Sequence, residues 1–276
     1  MVRITALVEN TSVLPGVTAA HGLSLFIGAH GRRILFDAGP AGMLCRNADA
    51  MGIDLASVDS AVISHGHYDH GGALREFMSV NERAKIYVRR CAFGKYLSKG
   101  TGTLRYIGLD AELAGDPRIV FTENEADLGD SLTLFSGVCG RSHLSSMNGK
   151  LYEGSDGAVI PDRFLHEQSL VIRDTDGDVL VTGCSHAGII NIVDEYRRRY
   201  GRNVPLTVVG GFHLYDVSGD RYEDDTAILS LADALLETGA MYYTCHCTGE
   251  KAYLMMKERM GDRLTYLSAG MVIDVG

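Results

Sequence analysis

Apolar and polar positions alternate over short stretches of the first third of the chain, a spacing typical of half-buried β-strands. The strands that this pattern predicts cover residues 4–8, 23–27, 33–36 and 60–64. One helical stretch is predicted between them, from about 41 to 51. The last of these strands ends at a cluster of histidines. The candidate functional residues therefore lie just after the carboxyl end of a strand.

The last third of the chain has a similarly regular pattern. Its predicted strands cover residues 169–172, 179–182, 206–209 and 241–244. Helical spacing of apolar positions predicts helices after residue 186 and from about 225 to 236. Strands and helices therefore recur in both halves, an order that suits an α/β sandwich with two central sheets and helices outside.

The middle of the chain, at about 89–165, is rich in glycine and polar residues and contains only weak strand signals. We interpret it as an insertion that covers the site within one domain of residues 1–276. Several of its basic side chains are candidates for contact with an anionic substrate. They are Lys95, Lys99, Arg105, Arg141 and Lys150.

Composition and charge limit the classes of binding partner and the cellular location that we expect for this protein. The chain has 276 residues, of which 46% are hydrophobic, enough for a large core. Its apolar runs are far shorter than the ~20 residues of a membrane helix, and its start lacks the pattern of a secretory signal. A net charge of −9 argues against nucleic acid as the main partner. We expect a cytoplasmic protein that acts on a small molecule, of unknown oligomeric state.

The histidine cluster reads Ser64-His65-Gly66-His67-Tyr68-Asp69-His70. In an extended segment His65 and His67 project the same way, so their imidazoles can bind one ion. Asp69 and His70 lie where a helix should begin, and the sharp turn there lets them face a second ion. The cluster predicts two divalent metal ions. Zinc is favoured, although manganese and iron accept the same ligands.

These residues carry a family resemblance. The pattern His-X-His-X-Asp-His resembles the signature of the metallo-β-lactamase superfamily, and Phe36-Asp37-Ala38-Gly39 resembles its upstream motif. The resemblance implies a four-layer αββα sandwich, in which Asp37 orients the metal ligands. His246, just after a late predicted strand, resembles the final histidine ligand of the superfamily.

Shorter strings make the resemblance more specific. Together they are similar to the branch of 7,8-dihydropterin-6-methyl-4-(β-D-ribofuranosyl)aminobenzene-5′-phosphate synthase-like proteins, over residues 2–275. The strings are His21-Gly22-Leu23-Ser24, Gly183-Cys184-Ser185-His186-Ala187-Gly188-Ile189, Gly210-Gly211-Phe212-His213-Leu214 and Cys245-His246-Cys247-Thr248-Gly249.

The chain also departs from the superfamily pattern. It has no Thr-Pro-Gly-His string, and Cys184 stands where an aspartate would bridge both ions. His186 is the best replacement for the missing third imidazole. Cys184 is either a thiolate bridge, which suits zinc, or a small buried hydrophobe beside the site. Cys245 and Cys247 are interpreted as core thiols, because His246 already takes the motif position.

His213 follows the predicted strand at 206–209, so it should face the same edge of the sandwich as the metal residues. Because the other ligands nearly fill two coordination shells, we expect His213 to contact substrate or move a proton. A metal ligand and a structural histidine are the alternatives.

Three functions are consistent with this cluster. Hydrolysis, with Asp69 orienting the attacking water, is the default chemistry of a two-metal site. The branch resemblance implies instead transfer of a pterinylmethyl group from its diphosphate to an aminobenzene ribose phosphate. The third possibility is a metal-binding sensor without turnover.

Overall fold

The computed structural model describes residues 1–100, 102–155, 157–201 and 204–276 of the chain. In chain order, its strands are β1 (Val2–Val8), β2 (Ser24–Ala29), β3 (Arg32–Phe36), β4 (Ser60–Val62), β5 (Lys85–Arg89), β6 (Tyr96–Ser98), β7 (Arg105–Tyr106), β8 (Ile119–Thr122), β9 (Glu125–Gly129), β10 (Leu132–Ser136), β11 (Leu151–Ser155), β12 (Ala158–Pro161), β13 (Gln168–Arg173), β14 (Asp178–Val181), β15 (Leu206–Gly210), β16 (Tyr215–Asp216), β17 (Arg221–Tyr222), β18 (Met241–Thr244), β19 (Leu264–Tyr266) and β20 (Val272–Val275).

Helices connect many of these strands. The α-helices are α1 (Leu44–Ala50), α2 (Tyr68–Gly71), α3 (Leu74–Val80), α4 (Ile189–Tyr200), α5 (Asp225–Glu237) and α6 (Glu250–Met260). Short 3₁₀ helices lie at Leu55–Ser57, Arg90–Phe93, Ala111–Gly115, Ser146–Lys150, His246–Thr248 and Gly261–Arg263. No described helix is both long enough and apolar enough to cross a membrane.

Two large sheets form the centre of the fold. The first has the strand order β20-β1-β2-β3-β4-β5-β8, and the second has the order β19-β18-β15-β14-β13-β10-β9. Side chains from both sheets form one buried core between them, including Ile4 and Phe36 from the first and Leu134 and Val181 from the second. The predicted pair of central sheets is therefore confirmed.

Helices cover the outer face of each sheet. Leu44 of α1 and Phe77 of α3 share a core with Leu35 of β3. Leu231 of α5 and Met256 of α6 belong to a third core on the outer face of the second sheet. These four layers, helix, sheet, sheet and helix, are the predicted αββα sandwich.

The helix predicted from about 41 to 51 begins later than the pattern suggests. Gly42 has a φ of +84°, a left-handed conformation that interrupts a helix, and α1 starts only at Leu44. Helices α4 and α5 lie close to the two positions predicted in the last third, whereas α3 and α6 were not predicted.

The segment predicted as an insertion, at about 89–165, divides into two parts. Strands β6, β7, β11 and β12 form a separate four-stranded sheet in the order β12-β11-β6-β7. By contrast, β8, β9 and β10 extend the two large sheets at their edges. Only the outer parts of the segment are therefore additional to the sandwich. Thr101 and Asp156 in this segment lie outside the described residues.

The parallel pairing of strands explains why the candidate site residues lie close together. Strands β3, β4, β5 and β8 run parallel, as do β14, β15, β18 and β19. The carboxyl ends of parallel strands meet at one edge of a sheet, so the residues just beyond them come together. Asp37 follows β3, His65 follows β4, Cys184 follows β14, His213 follows β15 and His246 follows β18.

Candidate metal centre

Asp37 holds the start of the histidine cluster in place. Its carboxylate accepts hydrogen bonds from the backbone N–H and the hydroxyl of Ser64, each at 2.7 Å, and from Nδ1 of His70 at 2.6 Å. The side chain is fully buried. Asp37 thus lies where the sequence analysis expects a residue that orients the metal ligands.

Four histidines are oriented in the same way, with Nδ1 bound to a neighbour. The acceptors are Ser64 Oγ for His65 at 2.9 Å, Asp37 Oδ2 for His70 at 2.6 Å, Asn148 Oδ1 for His186 at 3.0 Å and Asn10 Oδ1 for His246 at 2.8 Å. If each Nδ1 donates, each Nε2 keeps its lone pair. That arrangement is the usual one around metal-ligating histidines.

The first donor group consists of His65, His67 and His186. Their ligand atoms lie within 4.8 Å of one another, and each Nε2 is buried without a hydrogen-bond partner among the described residues. Burial, with the nearby histidines adding to it, lowers the pKa of His65 and of His186 well below the usual range. Buried neutral imidazoles whose lone pairs converge fit a divalent metal ion.

The second donor group consists of Asp69, His70 and His246. Nε2 of His70 lies 3.2 Å from Nε2 of His246, and Oδ2 of Asp69 lies 3.3 Å from the latter and 3.9 Å from the former. Tetrahedral ligands about 2.0–2.1 Å from an ion are roughly 3.4 Å apart. The spacing therefore fits one ion.

Charge also favours a metal in the second group. Burial opposes ionisation of Asp69, but His70 and the hydrogen bond from His21 outweigh it and hold the pKa of Asp69 well below its usual range. For His70, the charges of Asp37 and Asp69 outweigh burial and raise the pKa to about 9. A metal cation can take the place of that proton between the two carboxylates.

Cys184 lies between the two donor groups. Its Sγ is 3.1 Å from Nε2 of His70, and its ligand atom is within 4.8 Å of those of both His65 and His70. The side chain is buried. Both alternatives from the sequence, a bridging thiolate and a buried thiol beside the site, are consistent with this position.

Several residues at the site were not predicted from the sequence. Nε2 of His21 lies 3.4 Å from Oδ2 of Asp69. The segment that carries His21 is held beside Asp69 because the N–H of Leu23 donates to the backbone oxygen of Asp69 at 3.1 Å. The string at 21–24 resembles the family but gives no sign that His21 contacts Asp69. Cys247, interpreted from the sequence as a core thiol, instead lines the same cavity as Asp69.

Two buried glutamates hold the backbone beside the ligands. Glu9 accepts a hydrogen bond from the N–H of His246 at 2.6 Å, and Glu167 accepts one from the N–H of His186 at 2.7 Å. Neither residue stands out in the sequence, because each acts on a loop that is distant along the chain. They fix the loops that carry these two histidines.

The backbone is strained at the ends of these strands. Asp37, Ser185, His213 and His246 have φ values of 59°, 58°, 51° and 50°. Residues with a Cβ rarely adopt this left-handed region, and such positions are concentrated at functional sites. The sharp turns aim side chains into the space beyond the sheet edges.

His213 faces the site, as expected. Its ring lies edge-on to that of His186, with centroids 4.2 Å apart, and both ring nitrogens are buried without a hydrogen-bond partner among the described residues. The imidazole is therefore available to a substrate or an ion.

A cavity of about 380 Å³ opens over both donor groups. This volume is within the range of small-molecule sites. Its wall includes Arg105, Tyr106, Lys150 and Leu151 from the middle segment, together with Tyr68. The site is thus built by the sheet edges and covered partly by the middle segment.

His166 and Asp162 support the loop between His65 and His67. The N–H of Gly66 donates to Nδ1 of His166 at 2.9 Å, so Nε2 of His166 carries the proton and donates to Asp162 at 3.1 Å. Burial opposes it, but the hydrogen bond from His166 and the nearby imidazole of His67, 3.7 Å away, lower the pKa of Asp162. Neither residue stands out in the sequence as part of the site.

Replacing His166 by alanine is expected to weaken metal binding about 10- to 100-fold, as loss of supporting partners typically does. His166→Asn should retain most of the affinity, since its side-chain oxygen can still accept the hydrogen bond from Gly66. Competition titration with a chromophoric chelator measures both constants. Equal affinities for the alanine variant and the unmodified protein would exclude a positioning role for His166.

Comparison with known proteins assigns the class to which this fold and site belong. The family model of the metallo-beta-lactamase superfamily matches residues 17–161, just over half of the chain. The protein belongs to the metallo-beta-lactamase superfamily.

Its relatives include two proteins of Methanocaldococcus jannaschii. An uncharacterized protein, MJ0448, is 30% identical over 99% of this chain and 100% of its own. The other is 7,8-dihydropterin-6-methyl-4-(beta-D-ribofuranosyl)-aminobenzene-5′-phosphate synthase, 29% identical over 92% of this chain and 89% of its own. Among solved structures, Tm1679, described as a metal-dependent hydrolase of the beta-lactamase superfamily, is 30% identical with a TM-score of 0.83 and full coverage of both chains.

Proposed function

We propose that the protein is a metal-dependent enzyme that transfers a pterinylmethyl group from a diphosphate ester to an aromatic amine. The observation that carries the proposal is the similarity to the methanocaldococcal synthase over nearly the whole of both chains. The metal dependence rests on the two convergent donor groups, His65, His67 and His186, and Asp69, His70 and His246.

The residues present fit two divalent ions, for which zinc is the first candidate because imidazole donors predominate. Two bound ions would supply Lewis acid charge to phosphoryl oxygens. In the proposed reaction, the pterinylmethyl carbon exchanges its bond to a diphosphate oxygen for a bond to the arylamine nitrogen. Diphosphate and one proton are released.

The chain's own contribution is to bind and orient an anionic substrate. Of the five basic residues considered from the sequence, Arg105 and Lys150 line the cavity over the donor groups. Lys150 forms an ion pair with Asp216. Arg105 has no carboxylate partner among the described residues, so its guanidinium is free to bind a phosphate in a bidentate manner.

Hydrolysis is the second candidate, and a specific observation favours it. Tm1679, which matches this chain along its full length, is described as a metal-dependent hydrolase. The same donor groups would serve both reactions, because the difference lies in whether water or an amine attacks. In the hydrolytic reaction Asp69 would orient the attacking water.

One assay distinguishes the candidates. The zinc-loaded protein is incubated with the dihydropterin diphosphate, with and without 4-(β-D-ribofuranosyl)aminobenzene 5′-phosphate, and products are identified by mass spectrometry. The proposal predicts a coupled product that appears only with the amine, together with diphosphate. Release of the pterin alcohol at the same rate with or without the amine would indicate hydrolysis and contradict transfer.

Replacing Arg105 by leucine is expected to raise KM for the phosphate-bearing substrate about tenfold or more, since a hydrogen bond to a charged group contributes ~1.5–3 kcal/mol. Arg141→Leu is the matched control, because Arg141 lines a different cavity. Steady-state kinetics of both variants measure the effect. The same KM for both would remove Arg105 from substrate recognition.

A further inference from the structure

A third group of donor atoms lies beside the two described above. The Sγ atoms of Cys184 and Cys247 and a ring nitrogen of His213 are all within 4.8 Å of one another. Both thiols are 3% exposed, so they are nearly removed from solvent. Two thiols and one imidazole that converge in this way are typical of sites for thiophilic metal ions.

The polar atoms of this group have few other partners. Neither ring nitrogen of His213 has a hydrogen-bond partner among the described residues, although both are buried. The backbone N–H of His213 donates to Sγ of Cys247 at 3.3 Å. Buried imidazole nitrogens left without a partner are costly, and a metal ion would satisfy one of them.

The three strand-end loops that carry these residues are fastened together. The N–H of Gly211 donates to the backbone oxygen of Gly183 at 2.8 Å, and the N–H of Leu214 donates to that of Cys247 at 2.9 Å. A Cβ added to Gly211 would lie only 2.5 Å from Sγ of Cys247, so this position requires glycine. The donor atoms are held in place by backbone contacts before any ion binds, which reduces the cost of binding.

We propose that Cys184, Cys247 and His213 form a third metal position, which binds a thiophilic ion such as Zn²⁺ beside the other two donor groups. Two thiolates and a divalent ion are together neutral, an arrangement suited to a buried site. Binding forms two metal–sulfur bonds and one metal–nitrogen bond and releases the two thiol protons. Because Sγ of Cys184 is also 3.1 Å from Nε2 of His70, this sulfur links the third position to the second donor group.

The inference goes beyond the proposed function and does not depend on it. It assigns His213 to an ion rather than to substrate. It also gives Cys247 a chemical role, in place of the core thiol expected from the sequence.

Metal counting on Cys247→Ala tests the proposal. Reduced apo-protein is loaded with excess Zn²⁺, freed of weakly bound metal by gel filtration and measured by elemental analysis. Cys245→Ala is the matched control, because Cys245 is equally buried but lies in the core between the sheets. We expect the Cys247 variant to hold one ion fewer than the control and the unmodified protein.

Cadmium provides a second readout that does not depend on activity. Sulfur-to-cadmium charge transfer in the ultraviolet should fall in Cys247→Ala and remain in Cys245→Ala. His213→Ala should lose the same ion, which keeps the test decisive if the Cys247 variant does not fold. Equal metal content in the Cys247 and His213 variants and the unmodified protein would overturn this inference alone. Absence of any bound metal in the unmodified protein would overturn it together with the proposed metal dependence.

Discussion

Replacing Asp69 by alanine is expected to abolish turnover and to leave the fold intact. Asp69 provides the only carboxylate of the second donor group, and its Oδ2 lies 3.3 Å from Nε2 of His246. Without it the remaining imidazoles hold an ion weakly. Because the Lewis acid charge of a bound metal is worth several kcal/mol in the transition state, we expect a rate loss of about 10³-fold or more.

The metal content of the Asp69 variant should fall by one ion, whereas its unfolding transition should stay close to that of the apo-protein. Asp49→Ala is a suitable control, since Asp49 is an exposed residue of α1, away from the site. Rates and metal content are measured on the same preparations. Normal turnover by a folded Asp69→Ala protein would refute the role assigned to this residue.

Replacing Leu35 by alanine should have the opposite effect. Leu35 is fully buried in β3, paired with Phe26 of β2 and Ala61 of β4, and belongs to the core beneath α1 and α3. Removal of a buried leucine side chain leaves a cavity and costs ~2–5 kcal/mol of unfolding free energy. Its side chain lies outside the donor groups, so turnover per folded molecule should be unchanged.

Urea denaturation measures the loss in the Leu35 variant. Leu229→Ala in α5 is the matched control, because Leu229 is 40% exposed and should lose much less stability. A Leu35 variant as stable as this control would show that the first sheet is not packed as described. Loss of turnover with stability retained would place Leu35 in the site instead.

The layers of the fold, and the residues that follow its strands, could be predicted from the sequence. Apolar patterns predicted the strands at 33–36 and 60–64, and the residues just after them, Asp37 and His65, lie at one sheet edge. The ends of strands can be predicted from the sequence because the alternation of apolar and polar residues stops there. Because the strands are parallel, their carboxyl ends lie together at one edge of the sheet. This proximity can be predicted once the fold class is known.

Other parts of the site depend on contacts that no local pattern records. His21 lies just before β2 and contacts Asp69 of α2, and His166 supports Gly66 from 100 positions further along the chain. Cys247 lines the cavity, a position that the sequence did not indicate because Cys247 stands beside a histidine that already has the motif position. The middle segment was hardest to predict, because β8 and β9 are edge strands with mixed exposure.

The central claim is that two adjacent donor groups hold two metal ions. Anomalous diffraction from zinc-loaded crystals, recorded on both sides of the zinc absorption edge, tests it directly. The account predicts one peak bound by His65, His67 and His186 and a second bound by Asp69, His70 and His246, about 3.5–4 Å apart, as in other two-metal sites. A zinc-loaded crystal with no anomalous peak within bonding distance of His67 or His246 would contradict it.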